Sequence, residues 1–122
     1  MRALIVDDSS FIREYLRALL QRMGVTCVEA VDGRDALSVL TDAEAFDLML
    51  LDVNMPGMSG LECVKALRDA QMWPGMKVMM VTTEADHSFV LAALDNGADE
   101  FLMKPFTPES LREKMSLLGL AA

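Results

Sequence analysis

A chain of 122 residues with 52% hydrophobic and 6% aromatic content suits one compact domain, residues 1–122, that buries roughly two-thirds of its unfolded surface. A formal charge of −8, from 19 acidic and 11 basic side chains, lacks the basic excess that grips phosphate backbones, so direct nucleic-acid binding is not expected. No apolar run approaches the roughly 20 residues that span a bilayer, and the opening MRALIVDD is too short for a signal peptide, so a cytoplasmic protein without membrane insertion is expected.

Along the chain, apolar segments alternate between two periods. Ala3 to Val6 is a short strand that stops at Asp7-Asp8. Phe11, Ile12, Tyr15, Leu16, Leu19, Leu20 and Met23 then recur at helical spacing, with Ser9 or Ser10 available as N-cap and Gly24 suited to the C′ position. Val25 to Ala30 reads as a second strand, broken by Asp32-Gly33, and Ala36, Leu37, Val39 and Leu40 mark a short second helix. Phe46 to Leu51, interrupted only by Asp47, reads as a strand buried on both faces that ends on Asp52. Ser59-Gly60-Leu61-Glu62 matches a capping box opening a third helix, with Leu61, Val64 and Leu67 as its buried stripe. Met76 to Val81 is a fourth strand ending on Thr82-Thr83-Glu84, followed by a helix through Phe89, Val90, Ala93 and Leu94 that closes at Asn96-Gly97. Phe101 to Met103 is a fifth strand ending on Lys104-Pro105, and Thr107-Pro108 caps and starts the last helix.

Five such alternations imply an α/β fold, a doubly wound five-stranded parallel sheet with helices on both faces, in the flavodoxin-like order 2-1-3-4-5. In such sheets ligands bind beyond the carboxyl ends of the strands. The unusual polar residues fall there: Asp7 and Asp8 after strand 1, Asp52 after strand 3, Thr82 after strand 4 and Lys104 after strand 5. Each has a plain reading on its own: Asp7-Asp8 as a helix cap, Asp52 as a turn residue, Thr82 as a strand residue, Lys104 as a solvated surface lysine. Together they form a constellation. Carboxylates gathered at one edge repel by about 4 kcal/mol per pair at 4 Å and an effective dielectric near 20, so they call for a cation. Hard oxygen ligands with room for water and phosphate oxygens suit Mg²⁺. Asp52 can then act as nucleophile toward a phosphoryl donor, with Thr82 and Lys104 bonding the phosphoryl oxygens.

These residues, Asp7-Asp8, Asp52 within LLDVNMPGMSGLE, Thr82 and Lys104-Pro105, resemble the receiver domains of two-component response regulators, the single-domain chemotaxis regulators in particular, along the whole chain. The resemblance implies that Asp52 accepts a phosphoryl group from a sensor histidine kinase of the CheA-like kind, that Asp7, Asp8, Asp52 and the Asn54 carbonyl organise Mg²⁺, and that Thr82 and Lys104 read the phosphoryl group. It implies a cis Lys104-Pro105 bond, and a switch aromatic at Phe101, where the Tyr of chemotaxis regulators would carry a hydroxyl. It further implies a monomer whose output face, helix 4, strand 5 and helix 5, meets a downstream target, the flagellar motor switch foremost, and that a phosphatase can act on it. The chain would be no enzyme beyond its own phosphorylation and dephosphorylation. Asn54, Thr83 and Glu84 flank the site; Thr83 departs from the usual Ala or Gly, and Asn54 with Glu84 points to a short-lived phosphoryl group.

The alternatives are a phosphorelay intermediate, a receiver cut from a longer regulator and, less favoured, a Mg²⁺-dependent aspartyl-phosphate phosphatase, for which Asp52-Val53-Asn54 lacks a second acid. A flavin carrier is disfavoured by the acidic DDSS loop. Cys27 and Cys63 fit no zinc or redox spacing and read as packing, as do most of the eleven methionines, with Met55 and Met58 the candidates for an exposed partner surface. His87 reads as an exposed helix-start residue rather than a ligand or phosphocarrier.

Overall fold

The structure is a computed structural model that describes residues 1–42, 45–70 and 73–120. The side chains of Asp42, Glu84 and His87 lie outside the described ones, and with them the flanking role expected of Glu84 and the exposure expected of His87. Five strands, β1 (Arg2–Val6), β2 (Thr26–Ala30), β3 (Leu48–Asp52), β4 (Lys77–Thr82) and β5 (Glu100–Met103), form one parallel sheet in the order β2-β1-β3-β4-β5. The helices α1 (Ser10–Arg22), α2 (Gly33–Asp42), α3 (Gly60–Asp69), α4 (His87–Asp95) and α5 (Pro108–Leu117) connect them, with a 3₁₀ turn at Glu84–Asp86 before α4. The expected fold and strand order are therefore present. Among the described residues no helix is long and apolar enough to cross a membrane.

Strand alternation divides the core into two layers. Leu4, Val6, Met49, Leu51, Val78 and Met80 face α2, α3 and α4 and pack on Leu40, Val64, Leu67 and Val90. Ala3, Ile5, Leu48, Leu50, Met79, Val81 and Leu102 face α1 and α5 and pack on Leu16, Leu20, Leu111 and Met115. All five residues of β3 are buried, as a central strand covered on both faces requires. The strand starts later than its apolar run, however. Asp47 lies just before β3 with its amide donating to the Arg2 carbonyl at 2.9 Å, its carbonyl accepting the Lys77 amide at 3.0 Å and its carboxylate accepting the Arg2 amide. Phe46 is buried under the Arg2 guanidinium, 4.4 Å from the ring centroid.

The helix signals hold locally. Ser9 accepts the Ile12 amide, Ser59 and Glu62 form a reciprocal capping box, and Thr107 caps α5 through the Ser110 amide with Pro108 in the first turn. Three members of the apolar stripes instead face solvent: Phe11 is 72%, Phe89 51% and Tyr15 39% exposed. Cys27 and Cys63 are buried free thiols, and burial pushes the Cys63 thiol up to about 11, consistent with inert packing. Met55 is buried and forms no exposed surface, whereas Met58 is half-buried, packed against the core with its side chain 3.0 Å from where a Cβ on Gly33 would lie.

Candidate phosphoryl and cation site

The register of the sheet places the polar residues. Val6 lies opposite Leu51, so Asp7 and Asp52 follow side by side on adjacent strands; Thr82 lies opposite Met103, so Lys104 leaves the sheet next to them. Side-chain alternation does the rest. Asp7 continues the parity of Ala3 and Ile5, Asp52 that of Leu48 and Leu50, and Lys104 that of Leu102, all residues of the layer under α1 and α5. Thr82 continues the parity of Val78 and Met80, on the α4 side. Ladder-like bonds run past the strand ends and hold the loop residues in line: the Asp7 amide to the Ala30 carbonyl at 3.2 Å, Val53 to Val81 at 3.0 Å and Lys104 to Thr82 at 2.6 Å.

Asp7 and Asp52 are almost wholly buried, at 2% and 6% exposure, while Asp8 is exposed. One oxygen from each of the three lies within 4.8 Å of the others, a donor set of hard oxygens with one side open to water that fits a divalent cation such as Mg²⁺. The Lys104 ammonium enters the same cluster, 3.3 Å from Asp7 Oδ2 and 3.4 Å from Asp52 Oδ1. The other oxygen of Asp7 accepts the Ser9 amide at 2.9 Å. Burial, and then the neighbouring charge of Asp7, raise Asp52 from its ordinary value to about 6, against the opposing pull of Lys104 and the Asn54 backbone amide. The carboxylate is thus held in a place that disfavours its own charge, which makes it basic for an aspartate and attractive to a cation.

The remaining expected residues stand close by with other engagements. Thr82 is buried, and its hydroxyl donates to the Thr83 carbonyl at 3.0 Å; the Thr83 hydroxyl in turn bonds Asp86 at 3.1 Å, tying the loop to the start of α4. Asn54 is exposed in the β3–α3 loop and, with Val53, Ser59, Leu61, Asp86 and Phe89, lines a cleft of about 320 Å³. Phe101 is half-buried against the α4-side core, with the Lys114 ammonium 4.1 Å over its ring. The Lys104-Pro105 bond is cis. Two residues of the neighbourhood escaped the sequence reading: Arg13, whose guanidinium bonds the Asp7 carbonyl at 2.7 Å, and Gly60, which lies against the backbone of Asp52 and Val53. An arginine one turn into the helix behind an acidic loop was the only signal for the first.

Three carboxylates and a lysine thus converge at the ends of the first, third and fifth strands of a doubly wound parallel sheet, the arrangement of a receiver-type α/β domain. Residues 3–116 match the response regulator receiver domain, and the chain belongs to that family. Within it, the chemotaxis members are similar: a CheY homolog of Campylobacter jejuni is 41% identical over 94% of this chain and 89% of that protein, and the chemotaxis protein CheY of Pseudomonas aeruginosa 39% over 94% and 93%. The crystallised chemotaxis protein CheY4 of Vibrio cholerae superposes with a TM-score of 0.85 at 38% identity, covering 98% of this chain and 97% of that one.

Proposed function

We propose that this receiver is a phosphorylation-dependent switch in chemotaxis control. Asp52 is its phosphoacceptor, a sensor histidine kinase its donor, and the face of α4, β5 and α5 its output surface toward a downstream protein such as a flagellar motor switch. The observation that carries the reading is the buried Asp52 carboxylate, grouped with Asp7 and Asp8 and within 3.4 Å of Lys104. A carboxylate oxygen of Asp52 attacks the phosphorus, the P–N bond of the donor phosphohistidine breaks, and the imidazole nitrogen keeps the electron pair. Mg²⁺, held by Asp7, Asp8, Asp52 and the Asn54 carbonyl, offsets charge on the transferring group when bound. Lys104 supplies a point charge to one phosphoryl oxygen. Thr82 must leave the Thr83 carbonyl to bond another, and because Thr83 is tied to Asp86 the exchange pulls on the start of α4. Phe101 responds by ring burial alone. The only reaction catalysed is the domain's own phosphorylation and its hydrolysis.

The test is NMR observation of backbone amides during titration with Mg²⁺ and then with acetyl phosphate or beryllofluoride. Metal is expected to shift Asp7, Asp8 and Asn54, and the phosphodonor to shift Thr82, Phe101 and Lys104 in the wild type alone, not in Asp52→Asn. Metal binding with no response to phosphodonor would make the domain a scaffold recognised whatever its phosphorylation state, and the proposal would fall. Lys104→Ala should still take up phosphoryl from acetyl phosphate yet lose most of the shift at Phe101 and along α4; a full set of shifts in that variant argues against Lys104 as the reader of the phosphoryl group.

A further inference from the structure

Every polar atom of Asp7 has a partner: its amide bonds Ala30, its carboxylate bonds the Ser9 amide and Lys104, and its carbonyl accepts the Arg13 guanidinium at 2.7 Å. The Arg13 contact is built from outside the site. Its Nε donates to Glu29 Oε1 on β2 at 3.1 Å, its side chain is only 14% exposed, and the second Glu29 oxygen is held by Arg17, which also donates to the Cys27 carbonyl at 3.2 Å. One guanidinium therefore spans a strand-borne carboxylate and the last carbonyl before Asp8, using the planar fork that a lysine lacks. Of the two arginines on Glu29, Arg13 is the one bonded to the Asp7 carbonyl.

We propose that Arg13, oriented by Glu29, is a positioning residue for the cation site: by fixing the Asp7 carbonyl it sets the β1–α1 corner from which Asp7 and Asp8 face Asp52. The inference rests on the reading of that cluster as a Mg²⁺ site. Its sign is diagnostic. If Arg13 acted only as a nearby positive charge, its removal would tighten cation binding, because like charges repel. If it positions the ligands, removal loosens binding despite the lost repulsion, as changes behind metal ligands commonly do by about 10-fold or more.

The experiment is a Mg²⁺ titration of wild type, Arg13→Gln, Arg17→Gln and Arg13→Lys at constant ionic strength, read from the Asp8 and Ser9 amide shifts, with thermal unfolding in parallel. Arg13→Gln is expected to weaken Mg²⁺ about 10-fold, while Arg17→Gln, an equal charge change on the same carboxylate, leaves affinity unchanged or slightly tighter. Arg13→Lys keeps the charge and most of the stem, so it remains informative if the glutamine variant does not fold, and it is expected to weaken binding as well. A folded Arg13→Gln or Arg13→Lys variant that binds Mg²⁺ as tightly as wild type overturns the inference, even if it melts at a lower temperature. Wild-type protein with no saturable Mg²⁺ response overturns both the inference and the reading of the cluster, whereas wild-type saturation with unaffected variants overturns the inference alone.

Discussion

Asp52→Asn is expected to abolish phosphoryl incorporation from acetyl phosphate and, in the same protein, to raise the stability of the metal-free fold at pH 7 by about 2–3 kcal/mol. The first effect follows from chemistry: an amide oxygen lacks the charge with which a carboxylate attacks phosphorus. The second follows from the electrostatics of the site. Asp52 has an ordinary value of 3.8 and is raised to about 6 in the fold, with burial the largest cause and Asp7 the next. That shift already includes the attraction of Lys104, and its net sign is upward. A carboxylate raised on folding stabilises the native state only while protonated, so its contribution is fully present below the unfolded value and is lost as pH climbs from about 4 to about 6. The asparagine variant has nothing to lose over that window. Urea unfolding in EDTA should show the two proteins converging near pH 4 and separating by pH 7, where the melting difference should reach roughly 10 °C. Mg²⁺ should narrow the gap, because it binds and stabilises the native wild type more than the variant. A variant equal to or weaker than wild type at pH 7 in EDTA would mean that Lys104 and the Asn54 amide outweigh the desolvation of Asp52.

This stored electrostatic cost explains why the site is legible in the sequence. A buried strand that ends on a carboxylate breaks the local rule that interiors exclude unpaired charge, and such violations concentrate where function is placed. Asp7 and Lys104 each follow an apolar strand and Asp52 ends one, so their types and order are read directly, and the parallel topology brings them together. Asp47 can interrupt its apolar run because its carboxylate is engaged by the Arg2 amide, 45 residues away in sequence, a partner that the local sequence does not show. Phe11 and Phe89 matched a helical period yet face solvent, since periodicity locates a stripe and not its edges. Met55 looked like loop surface and is buried because the β3–α3 loop folds back over the core. The present engagement of the Thr82 hydroxyl with a neighbouring carbonyl is a matter of rotamer and loop geometry, on which residue type is silent. Arg13 was invisible for a different reason: its role lies in a backbone carbonyl, which every residue carries.

Gly60 is the clearest case of a residue whose reason appears only in three dimensions. In the sequence it is the second residue of a capping box, where alanine would be the better helix former by up to about 1 kcal/mol. In the fold, a Cβ at this position would lie 2.4 Å from the Asp52 carbonyl oxygen, 2.9 Å from Val53 Cα and 3.0 Å from Met80 Cε. Met80 can yield, but the first two are backbone at the end of β3 and just beyond it, around the proposed phosphoacceptor, and the Gly60 amide is bonded to the Val53 carbonyl at 3.0 Å, so the helix cannot retreat without losing that bond. Propensity and packing therefore predict opposite signs. Gly60→Ala is expected to destabilise the domain by about 3 kcal/mol, at the upper end of what overpacking costs. Gly75→Ala, with nothing within 4 Å of its Cβ, should change stability by no more than about 0.5 kcal/mol. Because relief of the clash must move either the start of α3 or the end of β3, the surviving folded fraction should also label more slowly from acetyl phosphate, with displaced Asp52, Val53 and Asn54 amide signals. Unfolding in urea distinguishes the two accounts at once: a stabilised Gly60→Ala would show that the helix start slides freely, and that Asp52 is held by its strand pairing rather than by the helix resting against it.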